Sequence, residues 1–295
     1  MRPYFAILAA SAVLASAAAP AADQRGGREQ QLVVSAFTGV FAPVTDLTAA
    51  DVIVREDGLA REVVQITAAP PPSHLVLLVD DSQASQPAVP YLRTALAGFI
   101  RRVSGAAPAP QLSLWTFGER PTRRADFLPT STAAEKAAAS IFPTPGAGAY
   151  FLQAVTEAAR DLAKRSATHP VIVAFVAESG PEFSNDTRTQ VAAALETSGA
   201  SLWIVALQDA RNDDLSPEAM ERAAVIGDVT TNSGGLTRTV LSGQGIEPAF
   251  DGLAALLTSR LLVTYGRPDQ LIPPKALEVT TRRPGVRLAF SHWLR

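Results

Sequence analysis

The chain has no cysteine. Disulfides, thiol nucleophiles, iron–sulfur clusters and cysteine-ligated zinc are thereby excluded, as is lipid attachment through a cysteine. Histidine is scarce: His74, His169 and His292 stand far apart and share no metal-ligand spacing. An excess of one charge is missing too. Basic side chains number 26 and acidic ones 28, a net −2, so no polycationic field exists to hold a nucleic acid backbone. Neither Gly-x-Ser-x-Gly nor a glycine-rich phosphate loop ending in Lys-Ser or Lys-Thr occurs. Asn232-Ser233-Gly234-Gly235 comes nearest to such a loop, but it precedes a short strand and reads as a turn. Asp209 to Asp214 reads as a charged surface loop.

What is present fits a globular chain. Of 295 residues, 47% are hydrophobic and 18% charged, enough for a sizeable core in one large domain or two smaller ones. Arg2 precedes an apolar, alanine-rich stretch from Tyr4 to Ala19, followed by small residues and then Asp23. That order predicts a signal peptide over 1–22, and hence export to the periplasm or beyond. No later segment is apolar for the ~20 residues a spanning helix needs, so stable membrane insertion of the mature chain is not expected.

The middle of the chain alternates strand-like and helix-like runs. Leu75 to Val79 is an unbroken apolar run that turns polar only at Asp80, Asp81 and Ser82. Such a run suits the central strand of a parallel sheet, buried on both faces. Helical spacing over Ala88–Ser104, a strand at Gln111–Phe117, an edge strand near Arg123–Phe127, helices at Thr132–Ile141 and Tyr150–Ser166, and an apolar strand at Val171–Val176 follow. A helix at Asp186–Ser198, capped by Ser184 or Asn185, leads to a strand at Ser201–Leu207. A helix opening at Pro217, a short strand at Thr237–Leu241 and a helix at Pro248–Leu256 complete the series. The fold class predicted is α/β, a Rossmann-like, doubly wound and mostly parallel sheet. Both ends are instead β-rich. Asp57-Gly58 between two β runs marks a hairpin, and Pro70-Pro71-Pro72 marks a stiff boundary. The expected division is a β module over 31–69, completed by 270–295, and an α/β domain over 73–266. Ligands of open α/β sheets bind beyond the carboxyl ends of the strands, so the acidic tip at Asp80 is the first place to look for chemistry.

The tip Asp80-Asp81-Ser82-Gln83-Ala84-Ser85 resembles the first metal-binding loop, Asp-x-Ser-x-Ser, of von Willebrand factor type A domains. Gly146-Ala147-Gly148-Ala149-Tyr150-Phe151 resembles their second loop, and Ala177-Glu178-Ser179-Gly180 their third. The run from Val44 to Gly58 resembles a segment of secreted bacterial "VWFA-related" proteins; its Asp and Glu read as turn-formers and caps. The resemblance implies a site for Mg²⁺ or Mn²⁺, whose preferred donors are carboxylate, hydroxyl and water. This chain departs from the pattern: Ala84 replaces the second serine, Gly148 the threonine, and Ala177 the third-loop aspartate. Asp80, Ser82 and a shifted Glu178 are the metal-ligand candidates that remain.

The resulting expectation is an exported, non-enzymatic protein-interaction module with a degenerate metal site, no cofactor and an unidentified protein partner. Tyr150, Phe151 and Phe183 are its candidate anchors. The alternative is a metal-dependent adhesion module using a rearranged site with Mg or Mn. A third reading is a carboxylate-based hydrolase built on Asp80, Asp81 and Glu178.

Overall fold

A computed structural model describes residues 27–128, 131–208, 214–269 and 274–293. The expected signal peptide and residues 209–213 of the charged loop lie outside these. The chain begins with β1 (Gly27–Thr38), β2 (Val52–Glu56), β3 (Leu59–Arg61) and β4 (Val63–Ala68). Next come β5 (His74–Val79), α1 (Val89–Ser104), β6 (Gln111–Thr116), β7 (Thr122–Leu128), α2 (Thr132–Ala139) and α3 (Phe151–Lys164). After β8 (Val171–Ala177), α4 (Arg188–Ser198), β9 (Ser201–Leu207) and α5 (Pro217–Ala224), a π-helical turn leads into α6 (Thr230–Asn232). β10 (Thr237–Val240), α7 (Ile246–Leu257), β11 (Leu261–Pro268), β12 (Leu277–Thr281) and β13 (Val286–Phe290) finish the described chain.

A six-stranded sheet in the order β10-β9-β8-β5-β6-β7 carries the middle of the chain. All neighbours are parallel except the edge pair β6–β7. The sheet is doubly wound, as the alternation predicted. β5 sits inside it, and its alternate residues serve two cores. Leu75, Leu77 and Val79 pack with α1, α2 and α7, whereas Val76 and Leu78 pack with α3 and α4. An apolar run with no alternation is the consequence of burial on both faces. The helices of the two layers bury the apolar stripes that their sequence spacing marks.

The two ends of the chain interleave. A second sheet has the order β13-β1-β11-β4 and is antiparallel throughout, and a third has the order β12-β2-β3. Val34, Val52, Val54, Val263, Tyr265, Val279 and Phe290 form the core between them. β11 belongs here, although the boundary expected at 266 puts most of it, Leu261 to Gly266, with the α/β segment. The reason is periodicity: Leu261, Val263 and Tyr265 point alternately into this core. Asp57 and Gly58 make the expected two-residue turn between β2 and β3, with φ of 50° and 81°. The Asp57 carboxylate also accepts the N–H groups of Lys275 and Ala276, both at 2.9 Å, and so grips the incoming C-terminal segment.

Glu56 departs from the turn-and-cap reading of its segment. It continues the inward phase of Val52 and Val54 and is fully buried. Its carboxylate takes Arg61 Nε at 3.0 Å, Arg267 Nε at 3.5 Å and the Tyr265 hydroxyl at 3.0 Å. Removing the acid would leave two largely buried guanidinium groups uncompensated. Glu56→Ala is expected to lower the unfolding free energy by about 3 kcal/mol, read by urea denaturation.

Candidate functional site at the strand tips

Asp80 follows β5 directly and is wholly buried. One carboxylate oxygen accepts the Ser82 N–H at 2.9 Å and the other the Ala177 N–H at 3.0 Å. The first loop is thereby fastened to the tip of β8. Burial pushes the Asp80 carboxyl above the usual range; hydrogen bonds from Ser82 and Ala177 oppose this, and the Asp81 charge adds to it. Asp81 turns the other way. Its carboxylate accepts the Gly118 N–H, just beyond β6, at 2.6 Å, and Arg124 lies 3.7 Å away. Ser82 Oγ is buried beside the Asp80 carboxylate, whose charged form it favours. The Ser85 hydroxyl donates back to the Ser82 carbonyl at 2.8 Å and turns away from the loop's mouth.

The second and third loops meet across a small residue. A Cβ placed on Gly148 would run into the Phe183 ring and Pro181. The aromatic ring thus fills the space that a threonine side chain at 148 would need. Phe183 remains half-exposed and lies against Tyr150, ring centroids 6.0 Å apart. On the other side, the Ala84 methyl packs against Gly180, where an added Cβ would approach to 2.8 Å.

A cation is built into the third loop. Arg222, on α5 and 2% exposed, donates to the carbonyls of Gly180 and Glu178, each at 2.6 Å. Burial pushes the half-buried Glu178 carboxyl up, and the Arg222 charge pulls it back. Asp80 and Ser82 lie together in the first loop, and Glu178 sits beside Arg222. Among the described residues, no group of three or more His, Asp or Glu is placed to hold a metal ion.

Phe151 is wholly buried in the core, 5.7 Å from Phe117 between ring centroids, and offers no surface to a partner. Tyr150 and Phe183 are the members of the aromatic trio with exposed area. Ser184 and Asn185 do not cap α4. Thr187 does, in a capping box with Gln190. Ser184 serves α3 instead: its Oγ accepts the Gln153 N–H at 3.0 Å, while Glu182 Oε1 accepts the Phe151 N–H at 3.0 Å. The third loop therefore caps a helix 31 residues upstream. A signal for this exists in the sequence. α3 opens on Ala149-Tyr150-Phe151, with no Ser, Thr, Asp or Asn to satisfy its first N–H groups.

No protein-family model and no curated protein matches the sequence. Solved structures do match. The chain is similar to proximal thread matrix protein 1 from the mussel byssus, with a TM-score of 0.51 at 10% identity, over 74% of this chain and 50% of that one. It spans about half the length of that protein. The vWF domain of the type V pili tip protein Mfa5 from Porphyromonas gingivalis matches with a TM-score of 0.47 at 12% identity, over 63% and 95% of the two chains. A von Willebrand factor type A protein from Catenulispora acidiphila matches at 0.48 and 10%, over 89% and 72%. At these identities the likeness concerns fold alone, an α/β fold with a doubly wound, mostly parallel sheet.

Glu182 makes the site's capping sensitive to pH. It is 4% exposed, its Oε2 has no partner among the described residues, and burial pushes its pKa from 4.5 up to about 7. The folded state therefore holds the proton more tightly than the unfolded one. This group's contribution to stability is complete below pH 4.5 and falls as pH rises to 7, by about 3 kcal/mol in all. Compared with Glu182→Gln, the wild-type melting temperature is expected to fall across that window. A pH-independent difference between the two proteins contradicts this.

Proposed function

We propose that this vWA-like chain is an exported, non-enzymatic protein-interaction module whose strand-tip face captures its partner without a metal ion. The observation that carries the proposal is the Phe183 ring seated over Gly148. It supplies apolar surface where a ligand hydroxyl would otherwise stand. Arg222 supports the same reading, since a fixed, buried positive charge beside Glu178 disfavours a second cation there. Both oxygens of Asp80 and one of Asp81 already accept backbone N–H groups, which also weakens the case for a hydrolytic carboxylate. Capture would rest on Tyr150 and Phe183, adjacent aromatic side chains at the rim of the loops. Export rests on the leader-like residues 1–22.

A second reading, adhesion through Mg²⁺ or Mn²⁺, is favoured by the buried Ser82 hydroxyl next to Asp80, two oxygen donors side by side. Melting in EDTA and in millimolar Mg²⁺ or Mn²⁺ separates the two. A cation at 100 times its Kd would add about 2.7 kcal/mol, or several degrees. We expect a change within about 1 °C; a rise of several degrees that Ser82→Ala removes favours the metal site.

Partner capture from a periplasmic extract tests the face itself. Phe183→Ala and Tyr150→Ala are expected to weaken capture roughly tenfold or more with native circular dichroism retained. Undiminished capture by both variants removes this face from the interaction.

A further inference from the structure

At the opposite end of the doubly wound sheet from Asp80 lies a cavity of about 220 Å³. Its floor is where β8 and β9 begin, at Pro170 and Ser201, and its far wall is the terminal sheet, through β1 and β11. Arg260, the residue before β11, lines it and is 6% exposed. Nε and Nη2 of this guanidinium have no hydrogen-bond partner among the described residues. The acid of the neighbouring network, Glu56, is already engaged by Arg61, Arg267 and Tyr265. Burial lowers the Arg260 pKa to about 10, so the group stays charged at neutral pH.

A buried guanidinium with empty donors is costly unless an anion reaches it. The cavity exceeds the ~150 Å³ that accommodates a benzene ring, so it is larger than a lone ion needs. Trp203, Trp293 and Leu32 supply apolar wall, and Gln30 and Gln31 a polar one. Arg267, the other arginine on the wall, is held by Glu56. One uncommitted guanidinium among the described lining residues suits a monoanion better than a phosphate dianion, and its fork matches a carboxylate's two oxygens. We infer that this cavity binds a small organic carboxylate, its head on Arg260 and a short apolar tail against Trp203 and Trp293.

The experiment titrates the full chain with sodium hexanoate, sodium acetate and inorganic phosphate at constant ionic strength. Tryptophan fluorescence reads binding, because Trp203 and Trp293 line the cavity, and melting temperature gives a second readout. Expected are a saturable response to hexanoate, at least roughly tenfold tighter than acetate, and its loss in Arg260→Met. Gln30→Glu, which sets a competing carboxylate in the wall without touching the buried arginine, is expected to weaken hexanoate roughly tenfold; this variant decides the matter if Arg260→Met fails to fold. The inference is overturned if hexanoate gives no saturable response, if it binds Arg260→Met or Gln30→Glu as tightly as wild type, or if phosphate saturates the cavity where hexanoate does not.

Discussion

Two adjacent carboxylates hold the top of this molecule together. Asp80 and Asp81 leave the tip of β5 in opposite directions, and each accepts a backbone N–H from a neighbouring strand's end: Ala177 on one side, Gly118 on the other. The central strand is thus fastened to both flanking strands where parallel ladders stop and loop N–H groups would otherwise be stranded in the interior. Neither acid could be replaced by an apolar residue of similar volume without orphaning a buried donor. Their presence at the tip therefore has a structural explanation independent of any ion.

Around that fastening, the three loops are knit by contacts that exclude water. Ala84 packs on Gly180, Phe183 on Gly148, and Arg222 holds two carbonyls of the third loop. Glu182 and Ser184 from the same loop cap α3. The face is consequently rigid for a loop surface, and its exposed aromatic area stands on a braced frame. Preorganisation of this kind reduces the ordering cost that a flexible surface pays on association.

Periodicity made the architecture readable. The unbroken run of β5, the helical stripes of α1 and α3, and the Asp57-Gly58 turn each follow from local rules, and the structure has them at the expected residues. Boundaries and long-range roles were harder. β11 falls in the β-rich tail, yet the division drawn at 266 leaves most of it with the α/β segment; its two partners, β1 and β4, place it in the terminal sheet. Ser184 has the residue type of a local cap, yet it serves a helix distant in sequence, a choice that local propensity cannot encode. Phe151 and Phe183 have the same side chain; one is core and the other half-exposed because helix α3 turns its first residue inward while the third loop crosses above. Arg260 carries no motif at all. Its isolation is a property of three-dimensional neighbours.

The interleaving of the chain's ends bears on the order of events during folding. β1 lies between β11 and β13, so the first strand has strand partners only near the C-terminus, and β2, beyond its hairpin with β3, pairs with β12. The doubly wound sheet can close from contacts local to its own βα units, but the terminal sheets must wait for the whole chain and bear the loop-closure entropy of everything between. Until then β1 is an unpaired, partly apolar strand held at the end of an otherwise folded body. A chain emerging from its N-terminus would expose that edge longest, and the interval before β13 arrives is when it is most open to pairing with the wrong copy.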